Sequence, residues 1–333
     1  VLQQDHADRT AAHEEDCMTS WTLNKLAALV LGSACVLSLT STSLAQPAPA
    51  AKAFEPRLGQ SGKDVMWLPT KEAIVERLFQ MGEVTRRDFI VDLGSGDGNI
   101  PIAAARQRGA RALGIEYNPN MVEVSKRRAI EAGVQDKVEF LQADIFVAEY
   151  SKASVVTLYL LPELNLRLRP TLLKMKPGTR ILSNSWDMQT WQPDETSAVS
   201  QANANAYLWI IPARVDGNWA VKYRAAAGAL PVSLALRQRF QMVEGDADFR
   251  SFKAALQDTR LRGDTLRFDY RDSRGEMIHF VARVEGDRMT GTATSRQGRT
   301  HFEAKRTSTP TPFEEAVATP QEIADAASAL GNQ

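Results

Sequence analysis

Between residue 64 and about residue 195 the chain alternates short apolar runs with segments of helical spacing. Ile74, Val75, Leu78 and Phe79 recur at intervals of three and four, which predicts a helix over 74–81. The run 89–93, FIVDL, reads as a strand that ends in glycines. An Ala-rich helix over 100–108, a strand over 111–116, a helix over 119–132 opened by Asn118-Pro119 and a strand over 138–141 follow. The series closes with a strand over 154–161, a helix over 163–175 and, after Pro177-Gly178, a strand over 179–185. Strands separated by helices of this length form right-handed βαβ units, so the segment folds as α/β with a parallel sheet covered on both faces.

Further along the period changes. Residues 207–211 supply the last strand of that sheet, and Pro212 opens a new unit. Asp216-Gly217-Asn218-Trp219 leads into alternating segments at 232–241, 265–270, 278–284, 289–293 and 301–305. Glu244-Gly245, Arg262-Gly263-Asp264, Arg274-Gly275 and Glu285-Gly286-Asp287 read as the turns between them. Short alternating strands with regular Gly/Asp turns predict a small antiparallel β barrel or sandwich at the C-terminal end. The working division is an α/β domain at 64–211, a small β domain at 212–306 and a mobile tail at 307–333 with room for a short helix over 320–330.

The amino-terminal stretch has a different character. From Met18, a short region with Lys25 precedes an apolar run from Leu26 to Leu39 and small residues at Ser43 and Ala45. This predicts a signal peptide over 18–45, cleaved after Ala45, and export to the periplasm or outside the cell. The alternative is an uncleaved membrane anchor, although the 14-residue apolar run is shorter than the roughly 20 residues a span requires. Residues 1–17, with Glu14, Glu15 and Asp16, read as an extension ahead of a true start at Met18, and 46–63 as a flexible linker. Both cysteines, Cys17 and Cys35, lie in this leader, which removes disulfides and thiolate metal sites from the folded part. His6, His13, His279 and His301 have no metal-ligand spacing. Lys+Arg and Asp+Glu each total 40, so no global field recruits nucleic acid or an acidic membrane. A nucleic-acid partner is not expected, and membrane contact only through an uncleaved leader.

The chemistry concentrates after the first strand, in Asp92-Leu-Gly94-Ser95-Gly96-Asp97-Gly98. Glycines there allow a tight turn and close backbone approach to a ligand. A dinucleotide fingerprint would be G-x-G-x-x-G, but Asn99 occupies the sixth position, and Asp97 would repel a phosphate. Spacing and charge favour a cationic ligand without phosphate. Taken singly, Asp92 could cap the turn, Glu116 could be a surface carboxylate and Asp144 a helix N-cap.

Taken together, DLGSGDG, the strand-end acid Glu116 in GIEYNP and Asp144 in QAD resemble the class I S-adenosylmethionine-dependent methyltransferases over about residues 64–190. The resemblance implies a Rossmann-like methyltransferase sheet with S-adenosylmethionine as cofactor. It implies that Asp92 and Gly94, Ser95, Gly96, Asp97 and Gly98 hold the methionyl part, and that Glu116 accepts from the ribose hydroxyls, with Tyr117 and Asn118 beside it. Asp144 would take the adenine amino group, with Ile145 and Phe146 near the ring. DVMWLPT at 64–70 is similar to the D-x-x-aromatic-x-P-T segment of a group of lysine methyltransferases that includes the enzyme acting on the c subunit of ATP synthase. That likeness implies a flap bringing Trp67, Pro69 and Thr70 to the cofactor, Trp67 standing where tyrosine is more usual.

In this fold the loop after the fourth strand faces the transferable methyl group, which makes Tyr159, Pro162, Glu163 and Asn165 the acceptor-side candidates. Tyr159, Glu163 and Asn165 are the candidate catalytic residues, with Tyr159 also at the cofactor and Glu163 a candidate base for a lysine amine. The loop is not the Asn-Pro-Pro-aromatic type, which argues against nucleic-acid base methylation. The expected activity is methyl transfer to a protein or small-molecule acceptor, a protein lysine among them. The alternative is an exported ligand-binding protein without transfer. The G-x-W opening and RVEGDRMTGTA are similar to small calycin-like barrels, which would hold an apolar ligand or a partner, or bury one edge of the α/β domain.

Overall fold

The computed structural model describes residues 54–64, 66–223, 230–311, 313 and 316–330. The stretches expected to be an extension at 1–17, a signal peptide at 18–45 and the start of a linker lie outside the described residues.

The first layer system contains α1 (Glu72–Met81), β1 (Phe89–Leu93), α2 (Asn99–Ala103), β2 (Arg111–Glu116), α3 (Pro119–Glu131), β3 (Val138–Gln142), β4 (Val155–Leu158), α4 (Pro162–Leu172), β5 (Arg180–Asn184), β6 (Glu195–Val199) and β7 (Ala204–Ile210). The strands form a sheet in the order β3-β2-β1-β4-β5-β7-β6. The first five are parallel, while β7 runs antiparallel to β5 and β6 antiparallel to β7. Helix α1 buries Ile74, Val75, Leu78 and Phe79, the stripe its spacing predicts. Helix α3 starts where Asn118 accepts from the Asn120 amide and Pro119 occupies the first turn. The chain order reverses at β1, which lies between β2 and β4, and ligands of such sheets bind beyond the carboxyl ends at that point.

Two features depart from the pattern. The fourth strand ends at Leu158 rather than 161, because its neighbour β1 ends at Leu93 and leaves Tyr159 onward unpaired. The edge strand β6, ETSAV, is polar and largely exposed, so no apolar alternation announces it.

The second sheet contains β8 (Gly217–Tyr223), β9 (Ser233–Arg239), β10 (Met242–Asp248), β11 (Lys253–Ala255), β12 (Gln257–Arg262), β13 (Thr265–Arg271), β14 (Met277–Glu285), β15 (Arg288–Ser295) and β16 (Gly298–Arg306). All its pairings are antiparallel, in the order β11-β10-β9-β8-β16-β15-β14-β13-β12. The sheet curls until the Thr259 hydroxyl donates to the Val243 carbonyl, giving a nearly closed barrel. Trp219, Phe268, Tyr270, Phe280 and Phe302 point inward and are almost wholly buried. Phe280 lies 4.8 Å from Phe268 and 4.7 Å from Phe302 between centroids. Packed aromatic side chains therefore fill the interior that an apolar ligand would need. Glu244-Gly245 is not a turn but the middle of β10, where a Cβ on Gly245 would come within 2.3 Å of the Ala235 carbonyl. The turn is Phe240-Gln241, between Arg239 and Met242.

That hairpin tip leaves the barrel. Phe240 is 2% exposed and belongs to the apolar cluster on one face of the α/β sheet, with Leu158, Trp191 and Trp209. It stacks on Trp191 at 5.6 Å, while Gln241 accepts from the Trp191 indole at 3.0 Å and donates to the Gln192 carbonyl at 2.6 Å. The described part of the tail from 307 onward, expected to be mobile, is likewise fixed. The Thr311 amide donates to Asp216, Phe313 packs on Phe240, and α5 (Pro320–Leu330) lies on α4. Arg169 of α4 is fully buried and forms a two-pronged pair with Glu322 at 2.7 and 3.1 Å. Arg169 also donates to the carbonyls of Ala316 and Met188.

Burial raises the Glu322 carboxyl, but hydrogen bonds from Arg169, Thr190 and the Thr319 amide outweigh it and bring the group down to about 2. Its folded value is therefore below its unfolded one, so the stabilisation is complete above the ordinary value of 4.5 and lost as pH falls toward 2. Glu322→Ala leaves a buried guanidinium without a counter-charge and should cost about 3–5 kcal/mol at neutral pH by denaturant titration. Wild-type protein under limited proteolysis should yield one protected body containing both sheets. A stable fragment ending between 195 and 217 would contradict this docking.

Candidate functional site

A cavity of about 710 Å³ opens at the carboxyl ends of β1–β5. Its floor is the turn after β1, where Gly94, Gly96 and Gly98 have φ of 82°, 53° and 78°, values that suit glycine. The Gly94 and Ser95 amides donate to the Ile115 carbonyl, which folds the turn against β2. Gly96 has no room for a Cβ, since one would lie 2.7 Å from the Trp67 indole nitrogen.

Three carboxylates from successive strand ends reach this region. Asp92 is 3% exposed and accepts from the Thr157 hydroxyl of β4 at 2.6 Å. Burial, with the charge of Glu116 adding to it, pushes the Asp92 carboxyl up to about 7 against the hydrogen bond from Thr157. Glu116 accepts from the amides of Asn118 at 2.8 Å and Gly96 at 3.0 Å, and burial raises its pKa in spite of them. Asp144 accepts from the Phe146 amide at 3.0 Å and from Lys63 at 2.6 Å, and the Lys63 bond lowers its pKa.

Asp97 also lines the cavity, but it pairs with Arg128 of α3. Its charge is neutralised there, so it ties the turn to α3 instead of repelling a phosphate.

The described residues between Phe54 and Thr70 form a flap over this floor rather than a linker. Gly59 donates to the Trp67 carbonyl at 3.0 Å, Trp67 to the Gln60 carbonyl at 2.9 Å, and Ser61 bridges to Met66. The flap is held at its base by Asn99, which donates to the Thr70 carbonyl at 2.5 Å, and at its tip by Lys63, which lies over the Tyr117 ring as well as on Asp144.

Of the residues singled out in the sequence, Trp67, Pro69, Thr70, Asp92, Gly94, Ser95, Gly96, Asp97, Glu116, Tyr117, Asn118, Asp144, Ile145 and Tyr159 share the cavity wall. Gly98, Phe146, Pro162, Glu163 and Asn165 are not part of it. Glu163 and Asn165 are displaced because β4 ends early and Leu160, Leu161 and Leu164 take the inward positions. Asn165 is 0% exposed and donates to the carbonyls of Trp186 and Asp187 at 3.3 and 3.4 Å. It supports the loop after β5 and does not face the cavity. Among the residues missed in the sequence are Ser185 and Trp186 of that loop and Gln60 and Lys63 of the flap. An aromatic residue two positions after a sheet strand was the one local signal for Trp186.

Residues 92–195 match the model of the ANTKMT methyltransferase domain family. The chain is 34% identical over 151 residues to a protein-lysine N-methyltransferase of Saccharolobus islandicus, covering 44% of this chain and 94% of that protein. It is 34% identical over 132 residues to the mouse lysine N-methyltransferase of the ATP synthase c subunit, covering 39% of this chain and 53% of that enzyme. A solved structure of an RNA methyltransferase from Salinibacter ruber with S-adenosyl-L-homocysteine is 46% identical over 44% of this chain and 96% of that one, with a TM-score of 0.43. The chain belongs to the class I S-adenosylmethionine-dependent methyltransferases, close to the lysine methyltransferases that include the ATP synthase enzyme. Its cofactor is S-adenosylmethionine, and the glycine turn, the strand-end carboxylates and a cavity of this size fit that group. Nothing in these relatives favours a binding protein without transfer.

Asp92 sets a testable balance between stability and binding. Its folded pKa of about 7 lies above the ordinary value of 3.8, so its burial is free of penalty at low pH and destabilises increasingly as pH rises from 3.8 to 7. Asp92→Asn should therefore raise the unfolding temperature of the cofactor-free protein at pH 8, with a gap that shrinks toward pH 4. Thermal melts across that range check it, and a variant less stable than wild type at pH 8 would contradict the buried-charge assignment.

Proposed function

We propose that the enzyme methylates a protein lysine amine. The observation that carries this reading is the character of the wall after β4 and β5. Tyr159, Leu160, Leu161, Leu164, Ser185 and Trp186 supply apolar and aromatic surface with two neutral hydroxyls and no carboxylate. Such a wall suits the aliphatic stem of lysine, and the archaeal and mouse relatives are lysine methyltransferases.

In this reading Asp92 and the backbone of the glycine turn hold the methionyl ammonium and carboxylate, and Glu116 accepts from the ribose hydroxyls. Asp144 shares its oxygens between Lys63 and the adenine amino group, while Trp67 and Thr70 close the flap from above. The bound cofactor supplies a methyl group activated on a cationic sulfur. The apolar wall removes water from an entering lysine, which lowers the amine pKa and favours the neutral nucleophile. Tyr159 and Ser185, both on this wall, present oxygens that orient the amine lone pair. Burial raises the Tyr159 phenol, which keeps it neutral. Transfer to the amine would release one proton, which would pass to solvent with no need for Glu163 as base.

Asp92→Ala and Glu116→Ala should each weaken S-adenosylmethionine binding by about 1.5–3 kcal/mol in calorimetry. Wild-type affinity in both would overturn these assignments. With methyl-labelled cofactor and a host extract, label should appear as methyllysine after acid hydrolysis of protein. Label confined to RNA or small molecules would overturn the lysine reading.

We also propose export through the leader at 18–45, supported by its charge, length and small residues before Gln46. Amino-terminal sequencing of the native protein should begin at Gln46. An intact Met18 in the soluble cytosolic fraction would refute export.

A further inference from the structure

The loop after β5 brings Ser185 and Trp186 to the cavity from a backbone that is not relaxed. Ser185 has φ of 69° and Gln189 of 53°, both in the left-handed region that L-residues with side chains rarely adopt. Such conformations persist where surrounding contacts over-determine them. Some of those contacts are local: the Ser185 amide donates to the Asn205 carbonyl at 2.7 Å, and Ser183 donates to the Trp186 carbonyl at 2.6 Å. The rest come from behind. Arg169 donates to the Met188 carbonyl at 3.1 Å, and Thr190 donates to Glu322 of α5 at 2.5 Å. Trp191, 0% exposed, is stacked by Phe240 and capped by Gln241 from the barrel hairpin.

We propose that the β barrel and α5 serve as a template for the acceptor wall, with Phe240, Gln241 and Glu322 as positioning residues that hold the loop so that Ser185 and Trp186 face the cavity. The barrel interior is filled with aromatic side chains, and among the described residues its reach toward the site is this hairpin and the tail that follows. The cofactor side is built differently. Asp92, Glu116 and Asp144 are held by Thr157 and by the amides of Gly96, Asn118 and Phe146, all within the α/β sheet and its turns. Loosening the hairpin therefore acts on one wall and leaves the other in place. The proposal rests on the reading that the end of the cavity bearing Tyr159, Ser185 and Trp186 receives the acceptor.

The test uses full-length protein labelled with fluorotryptophan and observed by fluorine NMR, with Trp186 and Trp67 assigned through Trp186→Phe and Trp67→Phe. Gln241→Ala removes two hydrogen bonds from a half-buried side chain without opening a core cavity, and Phe240→Leu thins the stack on Trp191. In both variants the Trp186 resonance should shift and broaden, while the Trp67 resonance and the calorimetric affinity for S-adenosylmethionine stay as in wild type. If Phe240→Leu fails to fold, Gln241→Ala decides alone. An unmoved Trp186 with a lowered unfolding temperature would reduce the hairpin to a simple dock and overturn the proposal. Equal changes at Trp186, Trp67 and cofactor affinity would overturn it too, as general loosening. No acceptor is present in this measurement, so its outcome is independent of whether lysine is the substrate.

Discussion

A carboxyl group held out of water organises this site. Asp92 sits at the end of the central strand, bonded across to Thr157 of β4, with Glu116 close enough to oppose its ionisation. A lone buried acid of this kind costs stability and gains nothing until a cation arrives. The glycine turn that follows is the complement, because it brings the backbone close to the same place without side chains in the way, its Gly94 and Ser95 amides held by the Ile115 carbonyl and its Gly96 amide by Glu116. Reversal of strand order at β1 then opens the cleft above both. The flap and the wall after β4 and β5 are arranged around that point.

The chain couples two sheets that local sequence presents as separate. Phe240, Phe313 and Ala316 lie in or against the same apolar cluster as Leu158, Trp191 and Trp209, so the barrel and tail complete a core of the catalytic half. The buried Arg169–Glu322 pair adds direction to that apolar contact. A guanidinium with four defined acceptors tolerates one geometry, and it fixes α5 against α4 and the Met188 carbonyl at once. Coupling through a packed interface of this kind lets a domain far along the chain shape the cavity without lining it.

The cavity floor was legible in the sequence because its parts are local. Asp92, the glycines, Glu116 and Asp144 each lie at or just beyond the end of a strand, so pattern and chemistry coincide. The parallel strands were readable for the same reason. What was not readable depends on distant partners. Arg169 and Glu322 are 153 residues apart, and Trp191 and Gln241 are 50 apart. The polar composition of 54–63 reads as linker until Lys63 meets Asp144 and Tyr117. Glu163 was an attractive base by position, but the helix phase set by Leu161 and Leu164 turns it away from the cavity. Strand β10, MVEGDAD, was hidden by acids and a glycine that is required by the close approach of Ala235.

The central claim is that Asp92 receives the positive charge of S-adenosylmethionine. Calorimetric titration of the wild-type enzyme with the cofactor at pH 6.5, in two buffers of different ionisation enthalpy, tests it most directly. At that pH an α-amino group is still protonated, whereas Asp92, with its pKa at about 7, is mostly neutral. Binding should therefore release a large fraction of one proton, seen as a difference in apparent enthalpy between the buffers. Binding with no proton release, or no binding at all, would contradict the account.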